Sequence, residues 1–154
     1  MALLLLYESL MNPKQVQKPS ILLVDSDREF CRSMALFLRE HFSVFVAYSV
    51  TDVFYTVYLN NIKILLVNVD ALSVRDIEEL LHLRRQFPCV KIVALYTYLP
   101  QEYEKTRMIR EMAEVLLPKP IDAERLLVKI EALLHPRLPF KAGHANRSTP
   151  FFTL

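Results

Sequence analysis

Ile64-Leu65-Leu66-Val67-Asn68 is the stretch that decides the fold: four apolar residues in unbroken succession, then one polar side chain. Two other runs have the same form. Ile21-Leu22-Leu23-Val24 stops at Asp25, and Val115-Leu116-Leu117-Pro118 stops at Lys119. A strand with one wet face alternates apolar and polar residues, whereas a strand covered on both faces is apolar throughout. These short runs read as buried strands of a parallel sheet, each closed by a polar group at its carboxyl end.

Helical patterns fill the intervals. After a first strand over Ile21 to Asp25, Phe30, Met34, Phe37 and Leu38 form an amphipathic stripe, with Ser26 or Asp27 available to cap its start. Val44 to Ala47 reads as the second strand. Val53, Phe54, Val57 and Tyr58 then give the next helix one apolar face, with Ser49 or Thr51 near its start. The third strand, Ile64 to Asn68, leads to a helix within Ser73 to Gln86 that carries Ile77, Leu80, Leu81 and Arg84 along one side. Val90 to Leu95 is the fourth strand, and a polar helix follows within Gln101 to Met112. Val115 to Leu117 is the fifth strand, and the last helix, capped by Asp122, shows Leu126, Leu127, Ile130, Leu133 and Leu134. Five strands alternating with five helices imply an α/β fold with a parallel sheet covered on both faces. Right-handed crossovers favour a flavodoxin-like, doubly wound sheet of order 2-1-3-4-5, in which the carboxyl ends of the strands converge on one crevice. Strands one, three and five bring Asp25, Asn68 and Lys119 there.

Composition narrows the chemistry. The chain has 154 residues, 53% of them apolar and 23% charged, enough for one domain with a substantial core. That domain is expected over residues 20–135, between an extension over 1–19 and a tail over 136–154. A formal charge of +2 argues for neither nucleic acid nor an anionic membrane. Phosphate-cradling loops need glycines for close approach of backbone amides, and the sole glycine, Gly143, lies in the tail. A P-loop or a dinucleotide fingerprint is therefore excluded. Cys31 and Cys89 have no metal-site spacing, and Cys31, beside an apolar stripe, reads as a small core or boundary residue. The cysteine usage points to a reduced, cytoplasmic setting. The start, Met1-Ala2-Leu3-Leu4-Leu5-Leu6-Tyr7-Glu8, lacks a basic leader and falls far short of the roughly 20 residues that span a bilayer. It reads as a loose or packed extension without membrane contact.

Asp25, Asn68 and the turn Leu117-Pro118-Lys119-Pro120-Ile121 together resemble the receiver domain of two-component response regulators, over about Ser20 to Leu134. The resemblance implies a phosphoacceptor at position 68, a lysine at 119 that pairs with it, and a cis bond before Pro120. It also implies an adjacent pair of acids that hold magnesium, a small hydroxyl at the end of strand four, and a switch aromatic on strand five. The chain departs at each of these last three features and at the acceptor itself. Asn68 is an amide, which cannot act as the nucleophile and is a weak ligand for a hard cation. Ser26 replaces the second acid, Tyr96 stands in the hydroxyl position with Thr97 one residue later, and Leu116 replaces the aromatic. A degenerate, phosphorylation-independent module acting by protein–protein contact is the reading that follows, with no catalysis, no cofactor and no nucleic-acid partner.

Two alternatives remain open at this point. Asp70 shares side-chain parity with Asn68, so a strand longer by two residues would make it an acceptor. A magnesium ion held by Asp25, Asp27 and Asp70 would accompany it, although Asp27 as a helix cap and Asp70 as a turn residue explain those acids more simply. The third reading is a small-ligand sensor in the vacated pocket of Asp25, Ser26, Asp27, Tyr96, Thr97 and Lys119. By the resemblance, the surface of helix four, strand five and helix five would bind a protein partner or a second copy through Tyr103, Arg107, Arg110, Glu114 and Glu124.

Overall fold

A computed structural model describes residues 17–136. Its five strands are β1 (Ser20–Val24), β2 (Ser43–Ala47), β3 (Ile64–Asn68), β4 (Lys91–Tyr96) and β5 (Val115–Pro118). Between and after them run α1 (Arg28–Leu38), α2 (Val53–Asn60), α3 (Val74–Gln86), α4 (Tyr103–Met112) and α5 (Ala123–Leu134), with a 3-10 turn at Val50–Asp52. All strand pairs are parallel, in the order β2-β1-β3-β4-β5. The expected doubly wound sheet is what forms.

Alternation along the strands divides the core in two. Leu22, Leu65, Val67, Ile92 and Ala94 face one side, where α2, α3 and α4 contribute Val57, Leu80 and Ile109. Ile21, Leu23, Ile64, Leu66, Val93 and Leu95 face the other, where α1 and α5 contribute Cys31, Leu38, Leu126 and Ile130. Cys31 is thus a core residue. Its thiol donates to the Asp25 carbonyl at 3.4 Å, and burial, then the charges of Asp25 and Asp27, push its pKa up to about 11.

The caps follow local chemistry. Of the two candidates before α1 it is Asp27 that caps, Oδ1 accepting from the Glu29 and Phe30 amides at 3.0 Å. Ser73 and Asp76 form a reciprocal capping box at α3, and Asp122 caps α5 through the Arg125 amide. One helix face differs from expectation. In α2, Val53 and Val57 point inward, but Phe54 and Tyr58 lie largely in solvent. Neighbouring residues are about 100° apart on a helix, so one turn against the sheet has room for the valine pair alone.

A polar brace joins the α3 and α4 ends of the domain. Arg84 donates through Nη1 to the carbonyls of Glu111 and Met112, the latter at 2.9 Å, and through Nη2 to Glu114 at 2.9 Å. Glu114 Oε2 accepts from the Ile92 amide at 2.6 Å, one residue before the β4–β5 ladder begins at Val93 and Val115. Ile92 is fully buried. Glu114→Ala would strand that amide, and a buried unpaired donor costs about 1–3 kcal/mol. Urea unfolding is expected to show a lower midpoint with an unchanged slope; an unchanged midpoint would mean that the brace is dispensable.

Candidate functional site

Strand register builds the site. Leu66, Leu23, Val93 and Val115 form one row across the sheet, and two steps further lie Asn68, Asp25, Leu95 and Leu117. Two residues past that second row, after the three neighbouring strands β3, β4 and β5, come Asp70, Thr97 and Lys119. Equal offsets preserve side-chain parity, so these three meet. The backbone ladder also runs on beyond the strands, through Val69 N to Leu95 O at 2.9 Å and Lys119 N to Tyr96 O at 2.8 Å.

The Asp70 carboxylate is fully engaged. Oδ1 accepts from the Thr97 amide at 2.7 Å, Oδ2 accepts from the Thr97 hydroxyl at 2.8 Å, and Lys119 Nζ lies 3.4 Å from Oδ2. The same ammonium is 3.8 Å from Asp25 Oδ2 and 5.1 Å from the centre of the Phe30 ring. Asp25 is buried, with Oδ1 accepting from the Asp27 amide at 2.9 Å and Oδ2 lacking a hydrogen bond. The ammonium is the charge that compensates it. Lys119 reaches the two aspartates and not Asn68; the Asn68 Oδ1 accepts instead from the Asp70 amide at 3.1 Å. The Lys119–Pro120 bond is cis, as expected.

The remaining candidates disperse. Asp27 points its acceptor at the start of α1. Tyr96, one step out of parity with Leu95, packs against the core on the α2–α3–α4 side and leaves the hydroxyl role to Thr97. Asp25, Ser26 and Asn68 line a separate cavity of about 200 Å³ together with Tyr48, Ser49 and Asp76. Tyr48 and Asp76 were not singled out from the sequence, and Ser49 was read only as a residue near a helix start. The Ser73–Asp76 spacing did carry a capping-box signal, whereas nothing in the sequence marks Tyr48, whose ring lies 4.1 Å beneath the Arg28 guanidinium. Among the described residues no group of three or more His, Cys, Asp or Glu is placed to hold a metal ion. Of the candidate magnesium ligands, Asp27 caps α1, Asp70 is bonded to Thr97 and Lys119, Ser26 carries no charge, and Asp25 Oδ2 is the carboxylate oxygen without a hydrogen bond.

On the surface proposed for contact, Tyr103, Arg110 and Glu124 are exposed, and Arg107 is exposed while paired with Glu104 and Glu111. Glu114 is not part of that surface. It turns inward because the Arg84 guanidinium and the Ile92 amide both need its carboxylate. Among the described residues no helix is long and apolar enough to cross a membrane.

No protein-family model matches the chain, and no curated protein matches it in sequence. Solved structures do match. A response regulator receiver domain protein from Methanospirillum hungatei is 22% identical with a TM-score of 0.66, over 76% of this chain and 94% of that one. A two-component response regulator from Clostridium difficile is 24% identical, TM-score 0.65, over 76% and 96%. The signal receiver domain of an HD domain-containing protein from Pseudomonas fluorescens is 20% identical, TM-score 0.66, over 77% and 95%. The chain has the response regulator receiver fold.

Burial raises the Asp70 pKa, but the Thr97 amide and hydroxyl and then the Lys119 charge outweigh it and hold the group below the ordinary carboxylate value. A carboxylate depressed on folding contributes stability above its unfolded pKa, and that contribution fades as pH falls through the folded value. Asp70→Asn is therefore expected to melt below the parent at pH 7, with the two curves converging as pH falls through the depressed folded value. Equal melting temperatures at neutral pH would show that the Lys119 and Thr97 contacts add nothing.

Proposed function

We propose that this chain is a receiver-like signalling module of the two-component type that works by protein contact and transfers no phosphoryl group. The observation that carries the proposal is Asn68 itself: the residue at the carboxyl end of the central strand is an amide, in a row with Asp25, and its oxygen is already bonded to the Asp70 backbone. An amide nitrogen is no nucleophile toward phosphorus. The loss is not confined to one residue, since Ser26, which lines the same cavity as Asp25 and Asn68, brings no carboxylate to it. The module is not an enzyme on this reading. Its working surface is the exposed side of α4 and α5, with Tyr103, Arg107, Arg110 and Glu124 facing a protein partner or a second copy. A cytoplasmic location accords with this.

A second reading rests on one observation: a lysine and a threonine hydroxyl both reach the Asp70 carboxylate. That is the set of groups an acceptor aspartate would need. Against it, both Asp70 oxygens are committed to donors, which lowers their nucleophilicity, and a divalent ion has no set of carboxylates to join.

Incubation with acetyl phosphate and magnesium, followed by intact mass measurement, separates the two. The parent mass is expected to stay unchanged. Asn68→Asp alone is expected to remain a poor acceptor, and the double variant Asn68→Asp, Ser26→Asp to gain a phosphoryl group in a magnesium-dependent way. A mass gain in the parent that maps to Asp70 would overturn the proposal in favour of the second reading. Efficient phosphorylation of the single variant would contradict the claim that the loss is distributed.

A further inference from the structure

α2 is the one helix of this fold with two apolar faces. Val53 and Val57 occupy the inward face, and Thr56 and Asn60 form a narrow polar edge whose side chains bond within the helix itself, Thr56 Oγ1 to the Asp52 carbonyl and Asn60 Nδ2 to the Thr56 carbonyl. The rest is an apolar arc of roughly 140°, reckoned at 100° per residue, running from Phe54 through Tyr58 and Tyr55 to Leu59. Their exposures are 43%, 70%, 68% and 55%. A helix that is apolar nearly all round is ordinarily covered on every side, and a contiguous exposed apolar patch marks a surface that meets something. Beside it, between α2 and α3, a groove of about 460 Å³ is lined by Val50, Val53, Phe54, Leu80 and Leu83. Phe54 forms its wall, edge-on to Phe87 at 5.4 Å.

The chain carries an apolar segment that starts from beside this patch. Gln17, Lys18 and Pro19 line one cavity with Asn60 and Asn61, the C-terminal end of α2. That stretch is fixed to the sheet through the Pro19 carbonyl, which accepts from the Ser43 amide at 3.0 Å, and through Lys18 Nζ on the Arg39 carbonyl at 2.9 Å. Preceding Gln17 is Met1-Ala2-Leu3-Leu4-Leu5-Leu6-Tyr7-Glu8-Ser9-Leu10-Met11, then five further residues. The eleven residue-to-residue steps from Leu6 to Gln17 span about 36 Å when extended. α2 is only about 12 Å long. Every point of the arc and of the groove is within that reach.

We propose that residues 3–11 dock on the outward face of α2 and in the α2–α3 groove, so that the leucines of the extension cover Tyr55, Tyr58 and Leu59. Reach and complementarity favour this occupant over a second copy. The extension offers a run of four leucines tethered at the very end of the helix, so the docking is intramolecular and benefits from a high effective concentration. Covering the patch in cis leaves the α4–α5 side free. The proposal holds whether or not the domain accepts a phosphoryl group, because none of its residues belongs to the crevice.

The test compares the full chain with a variant that begins at Met11 and with the full chain carrying Leu4→Ser and Leu5→Ser. Neither change touches a residue of the sheet or its helices. Amide hydrogen exchange over residues 53–60 and the ring resonances of Tyr55 and Tyr58 are the readouts. In the full chain, α2 is expected to exchange at least tenfold more slowly than in either variant, with tyrosine ring to leucine methyl contacts that both variants lose. Unchanged exchange and ring signals in the variants would overturn the proposal. So would protection that disappears on dilution, which would assign the patch to a second copy, or protection lost only when residues 137–154 are removed, which would assign it to the C-terminal tail.

Discussion

Asp25 ends a strand that is covered on both sides, and a carboxylate in that position must be compensated where it stands. Lys119 supplies the compensation. Its ammonium sits between Asp25 and Asp70 with the Phe30 ring nearby, so one cation joins the ends of β1 and β5 to the loop that leaves β3. Thr97 ties the end of β4 to the same carboxylate. Four connections of the sheet thus converge on one ion cluster. The cluster sets two acids against one base, and the buried Asp25 Oδ2 has the ammonium at 3.8 Å but no hydrogen bond. The two neutral donors of Thr97 both serve Asp70.

The fold was legible because the signals were long and mutually consistent. Ile64 to Val67 and Ile21 to Val24 cannot be half-buried strands, and once they are central strands of a parallel sheet the order follows from chirality. Caps were legible in kind, since Ser73, Asp122 and Asp27 are the residue types that accept from free helix amides. The site was legible only in part. Parity placed Asp70 on the same side as Asn68, and the structure carries the same offset to Thr97 and Lys119. What the sequence could not convey is competition for a side chain. Asp27 serves the α1 cap and Glu114 serves Arg84 and Ile92, and both are therefore unavailable to the crevice or the surface. The aromatic face of α2 escaped notice for a related reason: an apolar residue in a helix is read as inward, and Phe54 and Tyr58 point out.

The two faces of the domain divide the remaining work. The α4–α5 side is polar, exposed and laced with ion pairs such as Arg107 with Glu104. Exposed pairs of that kind add little stability, which leaves their side chains free to serve recognition. The α2 side is apolar and adjoins the stretch from Gln17 to Pro19. Under the proposed function the module presents its α4–α5 surface without a change of charge at the crevice, and under the proposed docking it covers the α2 surface.

The proposal that the crevice takes up neither magnesium nor a phosphoryl group is tested most directly by adding the ligands it should refuse. Amide resonances of an isotopically labelled sample would be followed while magnesium, and then magnesium with beryllofluoride, is titrated in. The account predicts no saturable shift at Asp25, Ser26, Asn68, Asp70, Thr97 or Lys119. Saturable shifts at those residues, larger with beryllofluoride than with magnesium alone, would contradict it.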